Sequence, residues 1–223
     1  MAKTKVRVET PRGEFQWITI TGPGKENLSG KMQYLANIAF DPKAPKWAAL
    51  RAEVDAFWEA NRPKKIKEPK SNGFYDEMVK TDETDEDGEA IKKATGRQFI
   101  AFKTNTEWSD GEGGFTPNVI KTYNARGREV QLGSVKIGNG SEGVVLGSYD
   151  IYVNKTKQGA IVDAGVTFFL TKLKINKLVE FGDDNFAEDD EAGEEEGAFM
   201  GVADSFESVE ANEQEASSGI AKL

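Results

Sequence analysis

Residues 183–223 carry fourteen carboxylates and a single base, Lys222. A stretch with that much like charge and so few apolar side chains cannot bury enough surface to offset chain entropy. It is predicted to be a disordered acidic C-terminal tail. Whatever folds must therefore be built from residues 1–182. That body holds 28 basic and 24 acidic side chains, although the whole chain is −9. A second acidic run, 76–89, contains eight of those acids and only Lys80, and is predicted to be an exposed, flexible insertion. With the run set aside, the body is near +11. A basic body joined to a detachable polyanion calls for an anionic partner, because like charges held together gain nothing for folding.

The residue inventory removes whole classes of chemistry. There is no cysteine, which excludes disulfides, thiolate nucleophiles and thiolate metal sites. There is no histidine, which removes the commonest general base and the commonest metal ligand. No catalytic residue, metal ligand or cofactor is assigned. No apolar run is long enough to span a bilayer, and the first five residues (MAKTK) lack the apolar core of a signal peptide. No membrane partner and a cytoplasmic location are expected.

About 180 residues suit one domain. Short β-branched and aromatic runs cut by glycines favour an all-β core. Residues 14–21 (EFQWITIT) read as a strand with Phe15, Trp17 and Thr19 on one face. Residues 31–40 (KMQYLANIAF) alternate more cleanly, with Met32, Tyr34, Ala36, Ile38 and Phe40 on the core side. The period then changes. Trp47, Leu50, Val54, Phe57 and Trp58 recur at helical spacing across 44–61, with Asp41 placed to cap and Pro63 to stop the helix. Residues 62–70 (RPKKIKEPK) form a loop, as do 108–114 (WSDGEGG). Strands are predicted at 97–104 and 117–124, with a short apolar run at 135–137. A hairpin joins 143–154 to 159–170 and runs on into the lysine-rich 172–177. At least six strands with one helix inserted after the second suit an oligonucleotide-binding (OB-fold-like) Greek-key barrel with extensions. A β-sandwich is the alternative.

Two motifs are weighed and set aside. Residues 138–143 (GNGSEG) match the dinucleotide-binding glycine pattern, but a β-patterned run follows where that site needs a helix. The reading is a glycine-rich turn between strands. The run 83–88 has a partial calcium-loop spacing, yet Glu83 stands at its first position and Ala94 at its twelfth, where a bidentate carboxylate is required.

Aromatic side chains interleaved with lysine and arginine carry the functional reading. Bases stack on rings while cations follow phosphates, so such a pattern suits sequence-tolerant binding of single strands. The candidate residues are Trp17, Lys31, Arg97, Phe102, Lys103, Trp108, Lys121, Tyr123, Arg126, Arg128, Tyr149, Lys172 and Lys174. Trp47, Phe57 and Trp58 are assigned to packing.

Four segments, 31–40 (KMQYLANIAF), 117–127 (PNVIKTYNARG), 134–147 (SVKIGNGSEGVVLG) and 148–154 (SYDIYVN), resemble those of bacteriophage single-stranded DNA-binding proteins. The body resembles in particular a phage family first grouped as a domain of unknown function. It extends over residues 4–182. The resemblance implies an OB-fold body, single-stranded DNA as partner, and an acidic tail that competes with DNA. It also implies roles in replication and recombination through contacts with other proteins, and no enzymatic activity. Such tails often end in a docking aromatic, whereas this one ends Gly219-Ile220-Ala221-Lys222-Leu223, which favours competition over specific docking. Oligomer formation is left open. The rivals are a carboxylate-metal nuclease and a virion assembly protein that binds no DNA.

Overall fold

The computed structural model describes residues 5–27, 29–84 and 88–181. The predicted tail disorder and residues 85–87 of the 76–89 run lie outside these residues. Among the described residues the chain forms twelve strands and one helix. The first half contains β1 (Val6–Glu9), β2 (Gly13–Thr19), β3 (Lys25–Glu26), β4 (Met32–Phe40), α1 (Pro45–Asn61), β5 (Phe74–Thr84) and β6 (Ala90–Asn105). The second contains β7 (Glu107–Ser109), β8 (Phe115–Pro117), β9 (Lys121–Tyr123), β10 (Glu129–Val130), β11 (Glu142–Lys155) and β12 (Ile161–Lys177). The one helix is too short and polar to cross a membrane.

Five of these strands close a barrel. β2 pairs antiparallel with β4, and β4 with β6. β6 meets β12 in parallel, β12 runs antiparallel to β11, and β11 returns to β2 through Glu142 opposite Glu14. A five-strand barrel with one parallel closing pair is the OB-type arrangement expected from the sequence. β1 extends it along β11, β9 along β12, and β5 along the outer part of β6.

Alternation explains the core. Tyr34, Ala36, Ile38 and Phe40 of β4 face Thr104, Phe102, Ile100 and Gln98 of β6 in register. With Phe15, Val145, Phe168 and Leu173 these residues, apart from the half-buried Gln98, fill the interior. Met32, at the open end of the same face, remains 37% exposed. The helical stripe also behaves as predicted: Trp47, Leu50, Val54 and Trp58 are buried. Trp47 stacks on Phe40 at 4.0 Å, and Phe57 meets Tyr149 edge-on at 5.1 Å, so α1 packs on the barrel.

Several local expectations need correction. Asp41 does not cap the helix; the N-cap is Ala44, and Asp41 Oδ1 accepts the Lys43 N–H at 2.8 Å. The 76–89 run is not simply a loop, because β5 continues to Thr84 and pairs with β6 as a hairpin arm. Its Lys, Thr, Val and Met residues maintain the ladder between the acids. The 117–124 strand is broken into β8 and β9, and 108–114 contributes Trp108 and Ser109 to the short β7–β8 hairpin. The 135–137 run makes only the bridge from Ile137 to Glu180.

The glycine-rich 138–143 segment is a turn leading into β11, as expected. Gly140 takes a φ of +86°, and Gly143 sits where a Cβ would lie 2.1 Å from the Lys174 carbonyl oxygen and 2.6 Å from the Phe15 ring. The glycines let β11 come close to β2 and β12.

Candidate nucleic-acid interface

The outer wall of the barrel follows from the same alternation. With Phe102 inside, its neighbour Lys103 must point out. Lys103 lies opposite Leu35 of β4 and beside Phe169 of β12. Lys5 places its Nζ 4.3 Å from the Phe169 ring centre. Lys31 is exposed at the end of a tight turn, where Asn27 Oδ1 accepts the Ser29 and Lys31 N–H groups at 2.8 and 3.0 Å.

Trp17 heads a second part of this wall. The β2–β4 register slips between Gln16 and Thr19, and Trp17 adopts a φ of +46°, in the left-handed region bulky residues avoid. Its N–H donates to Asn139 Oδ1 at 2.8 Å. The bulge separates Phe15, fully buried, from Trp17, 53% exposed, whereas strict alternation puts both on one face. The Trp17 ring meets Phe99 edge-on at 6.2 Å, and Phe99 stacks on Tyr75 at 5.4 Å. These three rings span β2, β6 and β5. Phe99 and Tyr75 were missed from sequence. Alternation back from buried Phe102 would have turned Phe99 outward, whereas Tyr75 was hidden at the edge of the acidic run.

A buried polar cluster roots the hairpin arm beside these rings. Glu77 accepts hydrogen bonds from Gln16 Nε2 and from Thr95 Oγ1, the latter at 2.6 Å. Arg97 reaches Glu14 at 2.9 Å and Glu77 at 3.8 Å. Burial works to raise the Glu77 pKa, but the bonds from Thr95 and Gln16 and the Arg97 guanidinium outweigh it and leave the carboxyl below its ordinary value.

The remaining candidates gather around β9 and β12. Lys172 lies 5.5 Å from the half-buried Tyr123 ring, and the Lys174 backbone pairs opposite Tyr123. Lys121 bonds Glu129 at 2.9 Å, which raises its pKa. Arg126 and Arg128 are exposed on a turn tied by Asn124 Oδ1. Trp108 on β7 and Phe115 on β8 are 49% and 65% exposed.

Three of the predicted residues are misplaced. Phe102 is fully buried against Phe168, because strand neighbours must take opposite faces and Lys103 holds the outer one. Tyr149 is 4% exposed between Phe57 and Phe168 under the helix, and burial raises its phenol pKa. Arg97 is engaged by two carboxylates and serves the arm root rather than a free cationic surface. Among the described residues no group of three or more carboxylates is arranged to hold a metal ion.

The sequence matches no family model and no curated protein. The barrel has counterparts among solved structures. The body shares its fold with the single-stranded DNA-binding protein gp2.5 of bacteriophage T7. The TM-score is 0.54 at 18% identity, over 87% of this chain and 98% of that one. The single-stranded DNA-binding protein of bacteriophage Enc34 aligns as a C-terminal truncation at TM-score 0.47 and 11% identity, over 81% of this chain and 98% of that one. Its complex with single-stranded DNA aligns at 0.44 and 11%, over 79% and 89%.

Proposed function

We propose that this chain is a non-enzymatic single-stranded DNA-binding protein. The observation that carries the reading is the ring series Trp17–Phe99–Tyr75, exposed at Trp17 and Tyr75 and half-buried at Phe99, on the outer wall of an OB-type barrel whose outer wall also carries Lys103 and whose β2–β4 loop ends in Lys31. Bases stack on such rings at about 1–3 kcal/mol each, and lysines follow the phosphates without reading sequence. The Tyr123–Lys172 pair and the Trp108 hairpin extend the set. The fold shared with a phage protein of this activity supports the reading. Coating of replication and recombination intermediates in the host cytoplasm is the role proposed. Segment 183–223 would act as a tethered polyanion that competes with DNA and contacts replication proteins when displaced.

Fluorescence anisotropy with a labelled oligo-dT at low salt tests this directly. Binding that weakens steeply as salt rises is expected. Absence of binding, both in the full chain and after deletion of 183–223, would refute it. Magnesium-dependent cleavage of the oligonucleotide would instead favour an enzyme.

A further inference from the structure

A cleft of about 520 Å³ opens beside Trp17, between the β2–β4 connection and the 132–139 segment. Its volume falls within the roughly 300–1,000 Å³ common for small-ligand sites. Ile20, Leu132 and Ile137 in its lining are buried and uncharged. Trp17 and Phe181, 53% and 54% exposed, also line it. Phe181 is held by its N–H, which donates to the Lys136 carbonyl at 2.9 Å. Lys25 and Lys136 belong to the same lining, are exposed, and make no ion pair among the described residues. Aromatic rings, an apolar lining and two exposed cations fit a flat neutral ring with an anion on either side of its attachment.

We propose that this cleft is a pocket for one nucleobase of a bound single strand, with the flanking phosphates on Lys25 and Lys136. The inference rests on the function proposed above and adds a discrete subsite to it. Asn139 is its positioning residue. A left-handed backbone at a bulky residue is strained and persists only where its surroundings hold it. Here the Asn139 side chain takes the Trp17 N–H, while the Gly140 N–H reaches the Phe15 carbonyl at 3.3 Å and the Phe15 N–H reaches the Ser141 carbonyl at 2.7 Å. The glycine-rich turn thus becomes a clamp that keeps one tryptophan facing both the cleft and Phe99.

The test uses the full chain carrying Trp108→Phe. Trp47 and Trp58 are buried, so Trp17 is then the exposed tryptophan among the four in the sequence. Oligo-dT should quench its emission in parallel with the anisotropy of the labelled strand. Lys25→Ala with Lys136→Ala should lower the magnitude of the log–log salt slope by about 1.4, two single-strand phosphates at about 0.7 each. Asn139→Ala should shift the emission of the free protein and reduce the quench. Asn139→Asp, which keeps the acceptor oxygen, should preserve the free-protein emission. Strand binding with unchanged Trp17 emission, or an unchanged slope in the double lysine variant, overturns the pocket and leaves the proposed function standing. No strand binding by the wild-type chain removes both.

Discussion

Glu77 is a carboxylate set into the barrel wall, and its surroundings define when it contributes. Its folded pKa lies below the ordinary value of 4.5, so its stabilisation is fully present above that pH. It is lost as pH falls through the lower folded value. Acid titration of stability should therefore show a component below about pH 4.5 that disappears in Glu77→Gln. Glu77→Ala should destabilise by about 1–3 kcal/mol in denaturant melts, because Gln16 and Thr95 lose a buried acceptor. Phe102→Ala should cost about 3–5 kcal/mol, the loss typical of a buried ring. If instead it weakens DNA binding without changing stability, its assignment to the core is wrong. Gly143→Ala should prevent normal barrel closure and leave little soluble folded protein, since the clash is with backbone.

At the level of elements, legibility tracks the regularity of the pattern. The helix is readable because four bulky apolar residues sit on one stripe and bury together. β4 is readable because its alternation is unbroken on the core side. β2 misleads at Trp17, where a bulge breaks the period of two, and no residue in the run announces a left-handed tryptophan. β5 misleads for the opposite reason. Its charges suggest solvent, yet a two-stranded arm exposed on both faces tolerates charges on every side chain. Of the candidate site, the cations and Trp17 were accessible to sequence reasoning. The ring series was not, since it joins residues from three strands. The arm has one built-in conflict: Lys80 stands directly opposite Lys92. Like charges at such a position destabilise by a few tenths of a kcal/mol or more. Lys92→Glu should slow amide hydrogen exchange in β5 and β6 outside the barrel; faster exchange would show that the pair is held by something other than its neighbours.

For the molecule as a whole, charge separation dominates. Removal of 183–223 takes a chain of −9 to a body with 28 basic and 24 acidic residues. The truncated protein should bind oligo-dT more tightly at low salt, and the difference should shrink as ionic strength rises. Equal affinities for the two forms at every salt concentration would eliminate the competition model.

The barrel's connectivity also imposes an order on its assembly. The pairs that close it join β2 to β11, near opposite ends of the body, and the mid-chain β6 to the last strand β12. Contacts so distant along the chain demand loop closure before they return any stabilisation, which makes folding slow relative to helical proteins of the same size. On the ribosome, β2, β4 and β6 emerge long before β12, with their closing edges unpaired. A nascent chain that has not yet synthesised residue 177 therefore holds an open, sticky sheet, and the lysine-rich last strand is the step that turns it into a barrel.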